Sequence, residues 1–228
     1  MSIAVYPFED FKDLPEYTIR IVIGKPQNHN SLHTGIIFKH EGRTHFFHLA
    51  WHHILTMEVS PDVSDYDKIL FLDFPFFDIN DETFHRRKAI IPYFILVHEL
   101  NADSIPYAIL YNSTKFLESG KLDIGEGEFG LTCATFVLAI FRSKGINLLD
   151  TGTWFNRIED KEFFNTIYYI LKDKIKPEHE SHLISNKNCV RFRPEEVSAS
   201  STIFNGKSVS FVQAAPLGVD LKSILFNK

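Results

Sequence analysis

One stretch limits what this chain can fold into: Gly130-Leu131-Thr132-Cys133-Ala134-Thr135-Phe136-Val137-Leu138-Ala139-Ile140-Phe141-Arg142-Ser143-Lys144-Gly145. It predicts a helix with both ends marked. Thr132 suits the N-cap, Gly145 suits the left-handed residue past the C-terminus, and Arg142 and Lys144 lie where the negative end of the dipole favours cations. Between those marks the segment is almost wholly apolar, so the helix is expected to run through a core and not across a surface. Cys133 falls in its first turn, where free backbone N–H groups and the positive dipole end favour a thiolate over a thiol. Cys133, Val137 and Ile140 share one face, which aims the sulfur at whatever the helix packs on. Inert packing is the ordinary role of a cysteine on an apolar helix, so a functional role requires a partner base.

The rest of the chain supplies a frame for such a helix. At 228 residues it fits one domain with a substantial core, and 22 phenylalanines point to aromatic packing within it. A net charge of −5 gives no broad basic surface, so no nucleic-acid partner is expected. Two cysteines, Cys133 and Cys189, are few enough to suggest a reducing compartment. The first residues lack a basic segment followed by an apolar run, and the longest apolar run is too short to span a bilayer and contains Pro92. The expected location is cytoplasmic, or delivered without a cleavable signal peptide.

Residues 1–18 read as an irregular lead-in. The alternating, β-branched run Tyr17–Gly24 predicts a strand. Leu32–Lys39 predicts a second, and His40-Glu41-Gly42 a tight turn into a third over Arg43–Ala50. Ile69–Phe74 reads as a strand or buried extended segment. Asn80 or Asp81 is placed to cap a helix that Pro92 ends or kinks. Asn112–Gly130 reads as a long polar loop, either a lid or a disordered excursion. A helix is predicted from about Ile158 to Lys174, then strands at Cys189–Phe192 and Val209–Val212. The whole is expected to form one α+β unit over 1–228, with 155–228 a C-terminal extension packed on it.

A thiol nucleophile needs a base within hydrogen-bond reach and a third group that holds the base in the correct tautomer. His33 stands out among eleven histidines because it lies in a strand directly before Thr34-Gly35. Gly35 removes a side chain beside it, which would let a helix or ligand approach closely. His48 lies in the paired strand, within range of a cross-strand contact. One slip in register would exchange the faces, so His45 stays a rival for the third role. A metal reading of His45, His48, His52 and His53 lacks the HExxH pattern and a carboxylate in fixed spacing, and solvated rings at a strand end explain the cluster better. Neither a metal nor an organic cofactor is called for. Arg86-Arg87-Lys88 reads as a solvated helix face, and Cys189 as structural.

His33-Thr34-Gly35-Ile36-Ile37 in one strand, His48-Leu49 in the next and Thr132-Cys133-Ala134-Thr135-Phe136-Val137 opening a later helix resemble the circularly permuted papain-like enzymes. That group includes permuted NlpC-type cysteine peptidases and the lecithin:retinol acyltransferase-like proteins. The resemblance covers roughly residues 19–50 and 104–145. It implies an antiparallel sheet packed against the nucleophile helix, with Cys133 as nucleophile, His33 as base and His48 as orienting group. Ile105–Leu110 looks like the tyrosine-bearing segment that precedes the cysteine helix in such enzymes, which would make Tyr107 a hydroxyl donor to substrate, alongside Thr132 and Gly35; a buried core tyrosine is the more ordinary account of Tyr107. Many members carry an acidic or asparagine residue next to the cysteine, where this chain has Thr132 and Ala134. The implied activity is thiol-dependent cleavage of an amide bond in a peptide or other acyl substrate, through an acyl-enzyme. Acyl transfer or thioester hydrolysis on a lipid is the alternative, and a non-catalytic binding module on the same shell a third.

Overall fold

The computed structural model describes residues 3–78 and 81–227, with the side chains of all but residues 81 and 82 among them. Six strands form one antiparallel sheet: β1 (Val5–Pro7), β2 (Ile19–Pro26), β3 (His33–His40), β4 (Arg43–Trp51), β5 (Ile54–Val59) and β6 (Tyr66–Leu72). Their spatial order is β1-β6-β2-β3-β4-β5. The three central strands fall where the period-2 apolar pattern puts them. The β3–β4 connection is the two-residue turn expected from Glu41-Gly42, both with positive φ (51° and 72°), which matches the twist of the flanking strands.

Each face of the sheet is covered. On one lie α1 (Asp81–Asn101) and α2 (Cys133–Arg142), packed on Ile19, Ile21, Ile36, Phe38, Phe47 and Leu49. Phe47 meets Phe136 edge-to-face at 4.9 Å, and Phe74 meets Phe141 at 5.5 Å. Such pairs add about 0.5–1.5 kcal/mol each beyond the area they bury. The other face carries the N-terminal segment, whose Phe8 and Phe11 cover Val22, Ile37 and Phe46. Residues 1–18 are therefore not merely a lead-in. Val5–Pro7 pairs with β6, and Phe8–Asp13 forms a 3-10 turn that seals this face.

Pro92 neither ends nor interrupts α1, which continues to Asn101. Proline removes one backbone donor, and the carbonyl that loses its partner is that of Lys88; both residues face solvent, where water replaces the bond. Of the two N-cap residues expected for this helix, Asn80 and the Asp81 side chain lie outside the described set.

The loop over 112–130 is tethered. It folds back as a small hairpin, β7 (Lys115–Phe116) with β8 (Leu122–Asp123). The buried Glu128 carboxylate accepts from the N–H groups of Asn112, Ser113 and Thr114, and from the Ser113 hydroxyl. It fixes the base of the loop.

The C-terminal third departs most from expectation. The helix predicted over 158–174 is present as α3 (Asp160–Leu171), followed by α4 (Pro177–Ser185). No strand forms at Cys189–Phe192. Val209 makes only an isolated bridge to Leu149, and residues 211–226 are α6 (Phe211–Phe226). Ser210 and Gln213 explain the helix: the Gln213 side-chain oxygen accepts from the Ser210 N–H at 3.0 Å, a capping box that outweighs the β-propensity of Val209 and Val212. Between them α5 (Pro194–Ser200) is buried along its whole length against β2, β3 and α2. Its Ser198 hydroxyl meets that of Thr34 on β3 at 2.7 Å. This region supplies part of the core of the sheet.

Candidate active site

The helix of Cys133 begins as its sequence dictates. The Thr132 hydroxyl accepts from the Thr135 N–H at 3.1 Å, and the Thr135 hydroxyl accepts from the Thr132 N–H at 2.7 Å. The N–H and the hydroxyl of Thr132 both serve this cap, so Thr132 holds the helix start. At the other end Gly145 has φ of 72°.

Cys133 is buried, and the backbone N–H of Thr34 turns toward its thiol, whose ionised form it favours together with the N–H groups of Cys133 and Ala134. The Thr34 N–H is free to do so for a topological reason. Lys39 of β3 donates toward β2, to Thr18 O at 2.9 Å, so even-numbered residues of β3 point their N–H groups toward β4. The β3–β4 ladder begins only at Ile36↔Phe47. Where the two strands separate, the helix tip brings the sulfur to the residue adjoining His33.

His33 and His48 lie on the sheet face that carries the N-terminal turn. Their Nε2 and Nδ1 atoms are 2.7 Å apart, and their rings cross at 78°. Gly35 is what makes this contact fit. A Cβ there would lie 2.6 Å from His48 Cβ and 2.8 Å from Phe47 O. The close approach that Gly35 permits is made by β4 and His48. Gly24, the cross-strand partner of His33, is covered in the same way by the Tyr66 ring. His45 points to the opposite face and stacks on Phe38 at 4.9 Å, out of reach of His33.

Three residues that the sequence did not single out join the site. Glu58 on β5 sits with one carboxylate oxygen 3.0 Å from His48 Nε2. Tyr66 lies within electrostatic range of both Glu58 and Cys133. Arg191, from the irregular stretch before α5, is a cation whose charge acts on the thiol; its guanidinium stacks on Phe163 at 3.4 Å and pairs with Asp160 at 3.4 Å. Period-2 alternation along β5 places Glu58 on the face of His48, a signal readable once register is known. Arg191 gives none, because its proximity depends on the packing of the whole C-terminal third.

Tyr107 is buried beside Cys133 and packs on Trp51 at 4.9 Å. Two imidazoles grip its backbone: His52 Nδ1 accepts its N–H at 3.0 Å, and His179 Nε2 donates to its carbonyl at 2.9 Å. Of the four histidines that invited a metal reading, His52 serves here as a backbone clamp, while His45 stacks on Phe38 and His48 pairs with His33. Among the described residues, no three His, Cys, Asp or Glu side chains converge as metal ligands.

Burial dominates the electrostatics. It pushes the Cys133 thiol up, against the opposing pull of the three N–H groups and Arg191. It pushes His33 well below the usual imidazole range, helped by His48. At rest the pair is a thiol and a neutral imidazole. Cys189 is also a free thiol, less buried, and raised to about 11 by desolvation.

Compared with protein-family profiles, with curated proteins and with solved structures, the chain matches none. Among the described residues no helix is long and apolar enough to cross a membrane.

Proposed function

We propose that this chain is a thiol-dependent hydrolase that cleaves an amide bond through Cys133, His33 and His48. The observation that carries the reading is the approach of two distant segments: a hydrogen-bonded imidazole pair on β3 and β4, and a helix-tip sulfur near the backbone N–H of Thr34, the residue after His33. The order His, His, Cys and the packing of α2 on an antiparallel sheet support a permuted papain-like arrangement as its frame.

With both partners neutral at rest, the proton leaves sulfur as the C–S bond forms, and no standing ion pair is required. His33 accepts it and returns it to the departing amine, leaving an acyl group on Cys133. Water then attacks, giving its proton to His33 and its hydroxyl to the carbonyl carbon; the C–S bond breaks, and His33 passes that proton to the departing sulfur, restoring the thiol and the neutral imidazole. The N–H groups of Cys133 and Ala134, which the cap does not use, would hold the oxyanion, a donor of this kind being worth ~2.7–4 kcal/mol in the transition state. Tyr107, whose phenol burial keeps protonated, adds a hydroxyl donor at the same end.

The test is acylation by a chromogenic acetyl ester and by matched acyl anilides. Wild type should release a burst of one equivalent of chromophore and gain one acetyl group on Cys133, and Cys133→Ala should do neither. Faster turnover on adding a primary amine acceptor would move the assignment to acyl transfer. Absence of any acyl-enzyme with either substrate class contradicts the reading.

A further inference from the structure

A carboxylate oxygen can only accept a hydrogen bond. Glu58 lies 3.0 Å from His48 Nε2, so that nitrogen carries the hydrogen and His48 Nδ1 holds a lone pair. His33 Nε2, 2.7 Å from that lone pair, must then be the donor. The second nitrogen of His33, Nδ1, is left unprotonated. The chain of constraints runs in one direction only, from the acidic residue inward. A half-turn of the His48 ring would keep its stack on Phe46 (4.2 Å, 14°) but would set ring carbons against Glu58 and His33, so the two hydrogen bonds hold the orientation found.

We propose that Glu58 is a positioning residue that fixes the tautomers of both imidazoles and thereby makes Nδ1 of His33 the basic atom. This rests on the reading of His33 as the base of a cysteine hydrolase. Without the carboxylate, either imidazole could donate to the other, and half of those arrangements place the hydrogen of His33 on the wrong nitrogen. Once His33 takes a proton its ring is a cation, and Glu58 lies at the far end of the relay with the compensating charge. Glu58 sits on an edge strand with its side chain part-exposed, so replacing it does not empty a core.

Two variants separate direction from charge. Glu58→Gln keeps a carbonyl oxygen that accepts from His48 Nε2 but removes the charge, and Glu58→Ala removes both. Long-range proton–nitrogen spectra of ring-labelled protein report each tautomer directly. Wild type should show lone-pair nitrogens at Nδ1 of both His33 and His48, Glu58→Gln the same tautomers where its carbonyl oxygen faces His48 and the reverse where its amide N–H does, and Glu58→Ala a mixture. The acylation rate of Cys133 should fall about 10-fold in Glu58→Gln and on the order of 10²-fold in Glu58→Ala. A merely structural role would lower the unfolding temperature without moving the nitrogen shifts. Wild-type tautomers in Glu58→Ala, or a hydrogen on Nδ1 of His48 in the wild type, overturns the proposal. If the tautomers stand as assigned but wild-type Cys133 forms no acyl-enzyme, it is the hydrolase reading that fails.

Discussion

Replacing Gly35 by alanine isolates the contact on which the imidazole pair depends. The added Cβ would lie 2.6 Å from His48 Cβ, roughly 0.8 Å inside the 3.4 Å at which ordinary contact begins, and 2.8 Å from the Phe47 carbonyl oxygen. Both obstacles belong to β4 itself and not to the end of a flexible side chain, so the strand must shift by most of that distance. Overpacking of this kind costs about 1–3 kcal/mol. For a chain of this length that is a fall in melting temperature on the order of 2–12 °C. A shift near 1 Å breaks the 2.7 Å bond between the rings, and misplacement of that size slows chemistry about 10²-fold. Gly42→Ala is the matched control. It meets nothing within 4 Å, but its φ of 72° makes alanine cost roughly 1–2 kcal/mol. Thermal unfolding and the acetyl-ester burst, measured on both, should show similar destabilisation and a slow burst in Gly35→Ala alone. Wild-type stability and burst rate in Gly35→Ala would refute the argument.

Acid should weaken the fold through its buried imidazoles. Burial lowers His33, His179 and His52, the last to about 4, while the unfolded chain titrates near 6.5. Their stabilisation is complete above about pH 6.5 and is lost as the pH falls toward 4, because the unfolded state then binds more protons. Urea midpoints should fall across that window, and less steeply in His52→Gln; a midpoint that does not fall contradicts the assignment of His52 as a neutral acceptor. Thr132→Ala removes a cap and should cost about 1 kcal/mol. Its catalytic defect should be no larger than a frayed helix start explains, whereas loss of substrate affinity with an intact melting temperature would return Thr132 to the binding surface.

The helix of Cys133 was legible in full because its limits are set locally, by a threonine cap and a glycine that tolerates positive φ. The β3–β4 hairpin was legible for the same reason. Choosing between His45 and His48 was not, since period-2 geometry makes one residue of slip exchange the two faces. Only pairing to β2 and β5 fixes the register, and those contacts are distant in sequence. The tail misled because Val209 and Val212 favour strand while Ser210 and Gln213, three apart, specify a helix start. Glu58, Tyr66 and Arg191 come to the site through tertiary packing that no short window contains.

The two free thiols supply the most direct test, because exposure and activation order them oppositely. Cys189 is the more accessible, and Cys133 is buried near the backbone of Thr34, the residue after His33, its proposed base. In a time course of iodoacetamide labelling on the native protein, read by peptide mass, Cys133 should react first, and His33→Gln should reverse the order. Labelling of Cys189 ahead of Cys133 in the wild type, or an order unchanged by His33→Gln, would contradict the claim that His33 activates this sulfur.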